Sequence, residues 1–69
     1  MPTYDINNEY KYQYAAEITT EQDEVYYYCE VEADRDEDAI AVFREFFLYD
    51  FPNETIKDIK ITEKIERDI

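Results

Sequence analysis

The sequence predicts a small α+β domain in which one helix packs on one face of a three-stranded antiparallel sheet. Three observations predict this fold. Apolar and polar side chains alternate in two stretches, at residues 9–19 and 25–33, which is typical of strands with one buried face. Residues 35–49 then place apolar side chains at helical spacing, and residues 55–65 provide a third strand. With 69 residues, of which 45% are hydrophobic and 17% aromatic, the chain suits one folded domain with a thin core.

The two alternating stretches predict which side of each strand faces the helix. In the first strand the inward side chains are expected to be Tyr10, Tyr12, Tyr14, Ala16 and Ile18. In the second strand they are expected to be Val25, Tyr27, Cys29, Val31 and Ala33, which leaves outward Tyr26, Tyr28, Glu30 and Glu32. The short polar connection between these strands favours a hairpin. Because the chain has no glycine, Asp23 is expected to adopt the left-handed conformation there.

The helix has a predicted start and end. Asp34 is expected to be the N-cap, with Glu37 three residues later in a capping-box arrangement. Asp36 and Asp38 in the first turn complement the positive end of the helix dipole. The helix should end before Pro52, because the residue preceding a proline disfavours helical geometry. Its inward face is predicted to comprise Ala39, Ile40, Val42, Phe43, Phe46 and Phe47.

The third strand is expected to point Ile59, Ile61 and Ile65 inward. A right-handed crossover through the helix places this strand beside the first one, which gives the sheet order 2-1-3 and the topology ββαβ. One helix covers one face of the sheet, so the other face is left to solvent or to a partner. Residues 1–8 are predicted to be a flexible arm of this single domain, and residues 66–69 a frayed tail.

The charge is strongly negative and unevenly distributed. Nineteen acidic and seven basic residues give a net charge of −12, and residues 57–69 are electrically balanced, so the excess lies before them. Such a chain is repelled by nucleic acids and by anionic membranes and is attracted to cationic surfaces. The sequence therefore predicts a basic protein as partner, and neither direct nucleic-acid binding nor membrane binding. Ten of the acids lie close together: Glu17, Glu21, Asp23, Glu24, Glu30, Glu32, Asp34, Asp36, Glu37 and Asp38.

Composition disfavours catalysis and secretion. The chain contains no histidine, and it has no phosphate-binding loop, nucleophile motif or zinc-ligand cluster, so neither an enzyme nor a cofactor is expected. A hydrolase with paired carboxylates would need a cleft that raises the pKa of one of them, and a domain this small offers no obvious one. The single cysteine, Cys29, and the absence of a signal peptide or an apolar span favour a cytoplasmic location.

A calcium site is the other chemical alternative. Four acids have the spacing of positions 1, 3, 5 and 12 of an EF-hand loop, namely Asp34, Asp36, Asp38 and Glu45. Position 6 requires glycine for a sharp turn, and this chain has Ala39 there, inside the predicted helix. The first-turn acids are therefore better explained by the helix dipole, and no metal site is expected.

The acidic stretch is interpreted as a surface that imitates DNA phosphates. Same-face residues on a strand lie about 6.6 Å apart, so the spacing expected between Glu30 and Glu32 is similar to that between neighbouring DNA phosphates. Residues 34–38 continue this line of acids onto the helix. Outward tyrosines beside these acids would act as anchors. The alternative is a solvated, solubilising face. The expected partner-binding residues are Glu17, Glu21, Asp23, Glu24, Tyr26, Tyr28, Glu30, Glu32, Asp34, Asp36, Glu37 and Asp38.

The segment EQDEVYYYCEVEADRDEDAIAVFREFF, the strand-strand-helix-strand order and the lack of histidine and glycine resemble the small, acidic, tyrosine-rich DNA-mimic inhibitors of phages. Closest in type is the Bacillus phage inhibitor of the histone-like nucleoid protein HU. Inhibitors of uracil-DNA glycosylase and of CRISPR effectors are similar in size and charge. The resemblance implies a non-catalytic inhibitor of a host DNA-binding protein. The alternative is a small regulatory or structural protein that docks through its Tyr/Glu sheet face on a partner or as a homodimer.

Overall fold

The computed structural model describes residues 10–67 and confirms the α+β fold with the order ββαβ. The elements are strand β1 (Tyr12–Thr20), strand β2 (Val25–Ala33), helix α1 (Asp36–Asp50) and strand β3 (Ile56–Glu66). Both pairings are antiparallel and the sheet order is β2-β1-β3, as predicted. The predicted arm at residues 1–8 lies outside the described residues, as do residues 9, 68 and 69.

The core lies between α1 and one face of the sheet. Alternate residues of the central strand β1 point into it, which confirms the predicted inward side from Tyr14 to Ile18. The predicted helix face is also confirmed, although Ile40 and Phe46 lie at its margin and remain half-buried. The fully buried hydrophobic side chains are Tyr14, Ala16, Ile18, Val31, Ala33, Ala39, Val42, Phe43 and Phe47.

The hairpin turn between β1 and β2 closes around a buried threonine. The Oγ1 atom of Thr20 accepts hydrogen bonds from the backbone N–H groups of Gln22, at 3.3 Å, and Glu24, at 3.2 Å. Asp23 has a φ of 63°, which confirms that it takes the left-handed conformation. A short polar side chain tolerates this region better than most residues do, so the turn closes without glycine.

A β-bulge in β2 reverses the predicted faces of the half of the strand that precedes it, whereas Val31 and Ala33, after the bulge, face the core as predicted. Tyr14 pairs with Val31 and Ala16 pairs with Tyr28, so the single residue between them in β1 opposes two residues of β2. The second of those two, Glu30, has a φ of 64°. The prediction that Val25, Tyr27 and Cys29 face the core is therefore wrong for this half of the strand, as is the prediction that Tyr26 and Tyr28 face outward. The bulge lets aromatic residues before it and small apolar residues after it share the helix side.

Irregular pairing also changes the last part of β3. Ala15 pairs with Glu63 and Ala16 pairs with Ile61, so β3 has one extra residue between these pairs. Ile59 and Ile61 face α1 as predicted, but the prediction for Ile65 is wrong, because the shift leaves it 49% exposed on the other face.

The end of β3 is held in place rather than frayed. Glu66 belongs to β3 and pairs with Tyr12. The Arg67 backbone N–H donates to the carbonyl oxygen of Lys11 at 2.8 Å, and its guanidinium donates to the carbonyl oxygen of Tyr10 at 3.1 Å. The predicted fraying is therefore wrong for residues 66 and 67, and the remainder of that tail lies outside the described residues.

The start of α1 differs from the prediction at its cap. The N-cap residue is Arg35, in an extended conformation and with no capping hydrogen bond from its side chain. Asp34 instead accepts a hydrogen bond at its Oδ1 atom from the backbone N–H of Lys11, at 2.9 Å. This carboxylate therefore ties the chain before β1 to the end of β2. Within residues 10–67, no helix is long and apolar enough to cross a membrane.

Candidate functional site

Two of the predicted anchors, Tyr26 and Tyr28, belong to an aromatic cluster beneath the C-terminal end of α1. The ring centroid of Tyr26 lies 5.1 Å from that of Phe47 and 4.8 Å from that of Phe51. The Tyr28 ring lies 6.2 Å from Phe47, and its hydroxyl donates to Oδ2 of Asp50 at 3.0 Å. Burial and the hydrogen bond to Asp50 raise the pKa of Tyr28 to about 12. The prediction that these rings face outward is wrong, because they pack against the core beneath α1.

The sheet face turned away from α1, here called the open face, carries a different tyrosine. Tyr27 is 77% exposed, and its cross-strand neighbour in β1 is Glu17, which pairs with Lys60 of β3. Val25 and Ile65 are 43% and 49% exposed on the same face. Strand register assigns twelve residues to it: Gln13, Ala15, Glu17, Thr19, Val25, Tyr27, Cys29, Glu32, Asp58, Lys60, Glu63 and Ile65.

Four exposed acids form the helix-start cluster, defined as Asp34, Asp36, Glu37 and Asp38. The Oδ1 atom of Asp36 accepts from Nζ of Lys64 and from the hydroxyl of Tyr14, both at 2.9 Å. These two hydrogen bonds, of which that from Lys64 has the larger effect, lower the pKa of Asp36.

Arg35 also partly neutralises the helix-start cluster. Its guanidinium lies 3.1 Å from a carboxylate oxygen of Glu37 and 3.3 Å from one of Asp38. All three side chains are well exposed, so these ion pairs contribute little to stability. Together with Lys64, Arg35 balances two of the four negative charges of the helix-start cluster, and three of its four carboxylates contact a cation.

The hairpin turn and the connection after α1 form a second acidic group, the turn-end cluster, defined as Glu21, Asp23, Glu24 and Glu54. The two segments are joined by a hydrogen bond from the backbone N–H of Glu21 to the carbonyl oxygen of Thr55, at 2.9 Å. Lys57 forms an ion pair with Asp23 at 2.9 Å. The other three acids enter no ion pair within the described part of the chain.

The predicted continuous line of carboxylates is not present. The bulge interrupts the regular alternation on which the spacing of Glu30 and Glu32 depended. Glu30 is exposed at the bulge, whereas the carboxylate of Glu32 lies 3.0 Å from the guanidinium of Arg67. Strand β2 has nine residues, or about 30 Å of extended chain, and separates the turn-end cluster from the helix-start cluster. The two acidic clusters thus lie at opposite ends of β2, with the open face between them.

Sequence reasoning missed the exposure of Tyr27 and Ile65, and it missed the position of the half-buried Glu54 beside the hairpin turn. The first two were missed because three consecutive tyrosines alternate equally well in either register, and because bulges move residues to the other face without changing the composition. Glycine at a bulge would have signalled the irregularity in β2, but Glu30 occupies that position. The nearness of Glu54 to the hairpin depends on the sheet order, and so it could have been inferred.

The charge density of the described region is high. Residues 10–67 contain sixteen acidic and seven basic residues, a net charge of −9, within a longest dimension of 39 Å. This is one net negative charge per roughly 4 Å, compared with one per about 3.4 Å along a single DNA strand and one per about 1.7 Å along the axis of a duplex. Among these residues no group of three or more His, Cys, Asp or Glu side chains is arranged to hold a metal ion.

Comparison of the chain with protein-family models, with curated protein sequences and with solved structures finds no match. The surface chemistry of the molecule is therefore the basis for a functional proposal.

Proposed function

We propose that the protein is a non-catalytic DNA mimic that binds the basic DNA-binding surface of a host nucleic-acid-binding protein and blocks its binding to DNA. The nucleoid protein HU is the favoured target, and uracil-DNA glycosylase and CRISPR effectors are the other candidates. The observation that carries the proposal is the charge density, roughly one net negative charge per 4 Å along a 39 Å molecule. The protein would act in the host cytoplasm, at the nucleoid, through its target.

The arrangement of acids supports this function. The turn-end and helix-start clusters are separated by about 30 Å of strand, the length of about nine base pairs of duplex. A target surface that tracks the DNA backbone over this length would meet carboxylates at both ends of the protein. Binding would release anions from the cationic surface, so association is expected to be fast and strongly weakened by salt.

A competition assay tests the proposal. Purified HU is bound to a fluorescently labelled duplex, and the protein is added while the anisotropy is recorded at several salt concentrations. Displacement of the duplex, with an affinity that falls steeply as salt rises, supports mimicry. If the protein fails to displace the duplex from HU, from uracil-DNA glycosylase and from a CRISPR effector, the proposal that it competes with DNA for these targets is wrong.

Charge variants identify the surface used. The triple variant Glu21→Gln, Glu24→Gln, Glu54→Gln removes three charges that enter no ion pair in residues 10–67. It is expected to weaken displacement by about tenfold or more at low salt and to reduce the salt dependence. The matched control replaces the same three glutamates with aspartate, which keeps their charge. It is expected to retain most of the affinity. Equal affinity of the two triple variants would remove the turn-end cluster from the contact surface.

A small docking protein remains the second candidate, and one observation favours it. The open face is uncovered within the described structure and exposes Val25, Tyr27 and Ile65. Docking through apolar burial would give an affinity that hardly changes with salt, whereas mimicry gives a steep dependence. Self-association would appear as a mass that rises with concentration in sedimentation, and Tyr27→Ala would abolish it. In this alternative the contact would use Tyr27, because Tyr26 and Tyr28 pack beneath α1.

A further inference from the structure

We propose that the open face is an arginine-binding surface, which takes an arginine-bearing segment of the basic target between the two acidic clusters. The inference rests on the proposed function. It adds the place where the contact is centred and the type of side chain that the partner contributes. Its centre is the neighbouring pair of Tyr27 and Glu17.

The first step is the exposure of Tyr27. Its two sequence neighbours pack beneath α1, so the alternation of β2 places Tyr27 on the opposite side of the sheet, where it is 77% exposed. A large aromatic side chain left this open adds nothing to the core. Exposed tyrosine offers apolar area and a hydroxyl at low cost in side-chain entropy, which suits it to recognition.

The second step is the carboxylate beside the ring. Tyr27 and Glu17 are paired across β2 and β1, so their Cβ atoms lie about 5 Å apart on the same face. Glu17 enters no ion pair within residues 10–67. A guanidinium can stack its flat face on an aromatic ring and, at the same time, donate hydrogen bonds from its N–H groups to a carboxylate that lies in the guanidinium plane. A lysine ammonium has no planar group to stack and no bidentate fork, so this pair favours arginine.

The charge of the open face selects a cationic occupant. Arg67 neutralises Glu32 at its margin. The carboxylates of Glu17, Asp58 and Glu63 then remain on the face against the single ammonium of Lys60. An anionic occupant, such as nucleic acid or a phosphorylated peptide, would be repelled by this balance.

Charge and area both disfavour a second copy of the chain as occupant. Two open faces in contact would bring two sets of like charges together. Three strands of about nine residues give a face of roughly 30 by 14 Å, or about 400 Å² in projection, about half of what each partner buries in a stable protein interface. A face of this size fits one extended or helical segment, with the end clusters completing the contact.

The test uses two peptides of equal charge, nona-arginine and nona-lysine, titrated into the ¹⁵N-labelled protein and followed by NMR. The wild-type protein is expected to bind nona-arginine about two- to fivefold more tightly than nona-lysine, because only a guanidinium can stack flat on the Tyr27 ring and also donate two parallel hydrogen bonds to Glu17. Amide shifts should centre on the open-face residues of β1 and β2. Tyr27→Ala should remove the preference for arginine. The matched control Tyr49→Ala, which removes a helix tyrosine that is 86% exposed, should keep it.

Three results would overturn the inference: equal affinity for the two peptides, an arginine preference that survives Tyr27→Ala, or shifts confined to the end clusters. Circular dichroism and urea unfolding of Tyr27→Ala establish that the variant is folded. The HU competition assay separates this inference from the proposed function. If HU is displaced from DNA equally well by Tyr27→Ala and Tyr49→Ala, mimicry stands and the open-face inference is wrong. If HU is untouched while the arginine preference depends on Tyr27, the surface is correct and the target is wrong.

Discussion

The β2 bulge makes a quantitative prediction about two adjacent tyrosines. Tyr26 is mostly buried and contacts Phe47 and Phe51, whereas Tyr27 is 77% exposed. A buried aromatic side chain removes about 150–250 Å² from water, so at about 25 cal/mol per Å² the partly exposed Tyr26 contributes an upper value of about 4 kcal/mol. Since the denatured chain already buries some of this area, Tyr26→Ala is expected to cost about 3 kcal/mol. Tyr27→Ala should cost less than about 1 kcal/mol.

Urea unfolding followed by circular dichroism measures this difference. A slope of about 1 kcal/mol per molar, typical of a small domain, converts 3 kcal/mol into a midpoint lower by about 3 M. A chain of this length has a total stability of roughly 3–10 kcal/mol, so the loss expected for Tyr26→Ala is a large part of it. Tyr26→Leu, which keeps about half of the buried area, provides the second measurement. Equal losses for the two alanine variants, or a larger loss for Tyr27→Ala, would refute the bulged register.

Three further predictions use the same unfolding and titration methods. Glu30→Gly should raise the free energy of unfolding by up to about 1 kcal/mol because glycine adopts positive φ without strain, whereas Glu32→Gly in the regular part of the strand should lower it. The lowered pKa of Asp36 implies a stabilisation present above the pKa of the unfolded chain and lost as the pH falls through the folded value. The midpoint difference between wild type and Asp36→Asn should therefore shrink as the pH falls below about 4, the ordinary pKa of an aspartate, and Lys64→Gln should reduce it at neutral pH. The pKa of Tyr28, raised to about 12, implies a contribution to stability that is complete below pH 10 and is lost as the pH rises through 12. Tyr28→Phe should not show this loss. The variant should also lack one phenol in the ultraviolet titration.

The parts of the fold that follow from local patterns were predictable. Strand β1 alternates without interruption, so its inward side was correct from Tyr14 to Ile18. The sheet order followed from the connection through α1. Asp23 could be assigned to the left-handed position because the turn contains no glycine. These predictions depend on side-chain alternation, turn composition and element order, all of which can be read from neighbouring residues in the sequence.

The register of β2 was not predictable, because two assignments compete for the same three tyrosines. A regular strand would place Val25, Tyr27 and Cys29 beneath the helix and avoid a left-handed Glu30, which costs roughly 1–2 kcal/mol. The bulged strand instead places Tyr26 and Tyr28 against Phe47, and each such aromatic pair is worth about 0.5–1.5 kcal/mol beyond its buried area. The outcome depends on tertiary contacts with α1.

The sequence identified the acids of both clusters except Glu54, but it did not identify Tyr27 as the exposed tyrosine. The structure shows that the two clusters differ in what else explains their charge. Asp36 is held by Tyr14 and Lys64, and acids in a first helical turn are favourable in any protein. This cluster would therefore exist without a partner. The turn-end cluster has no comparable explanation, since Glu21 and Glu24 enter no ion pair in residues 10–67 and their mutual repulsion destabilises the hairpin. Acids without an ion pair at one end of the molecule, beside a sheet face that is uncovered in residues 10–67, support the proposal that the protein recognises a cationic partner, because folding gives no reason to keep them there.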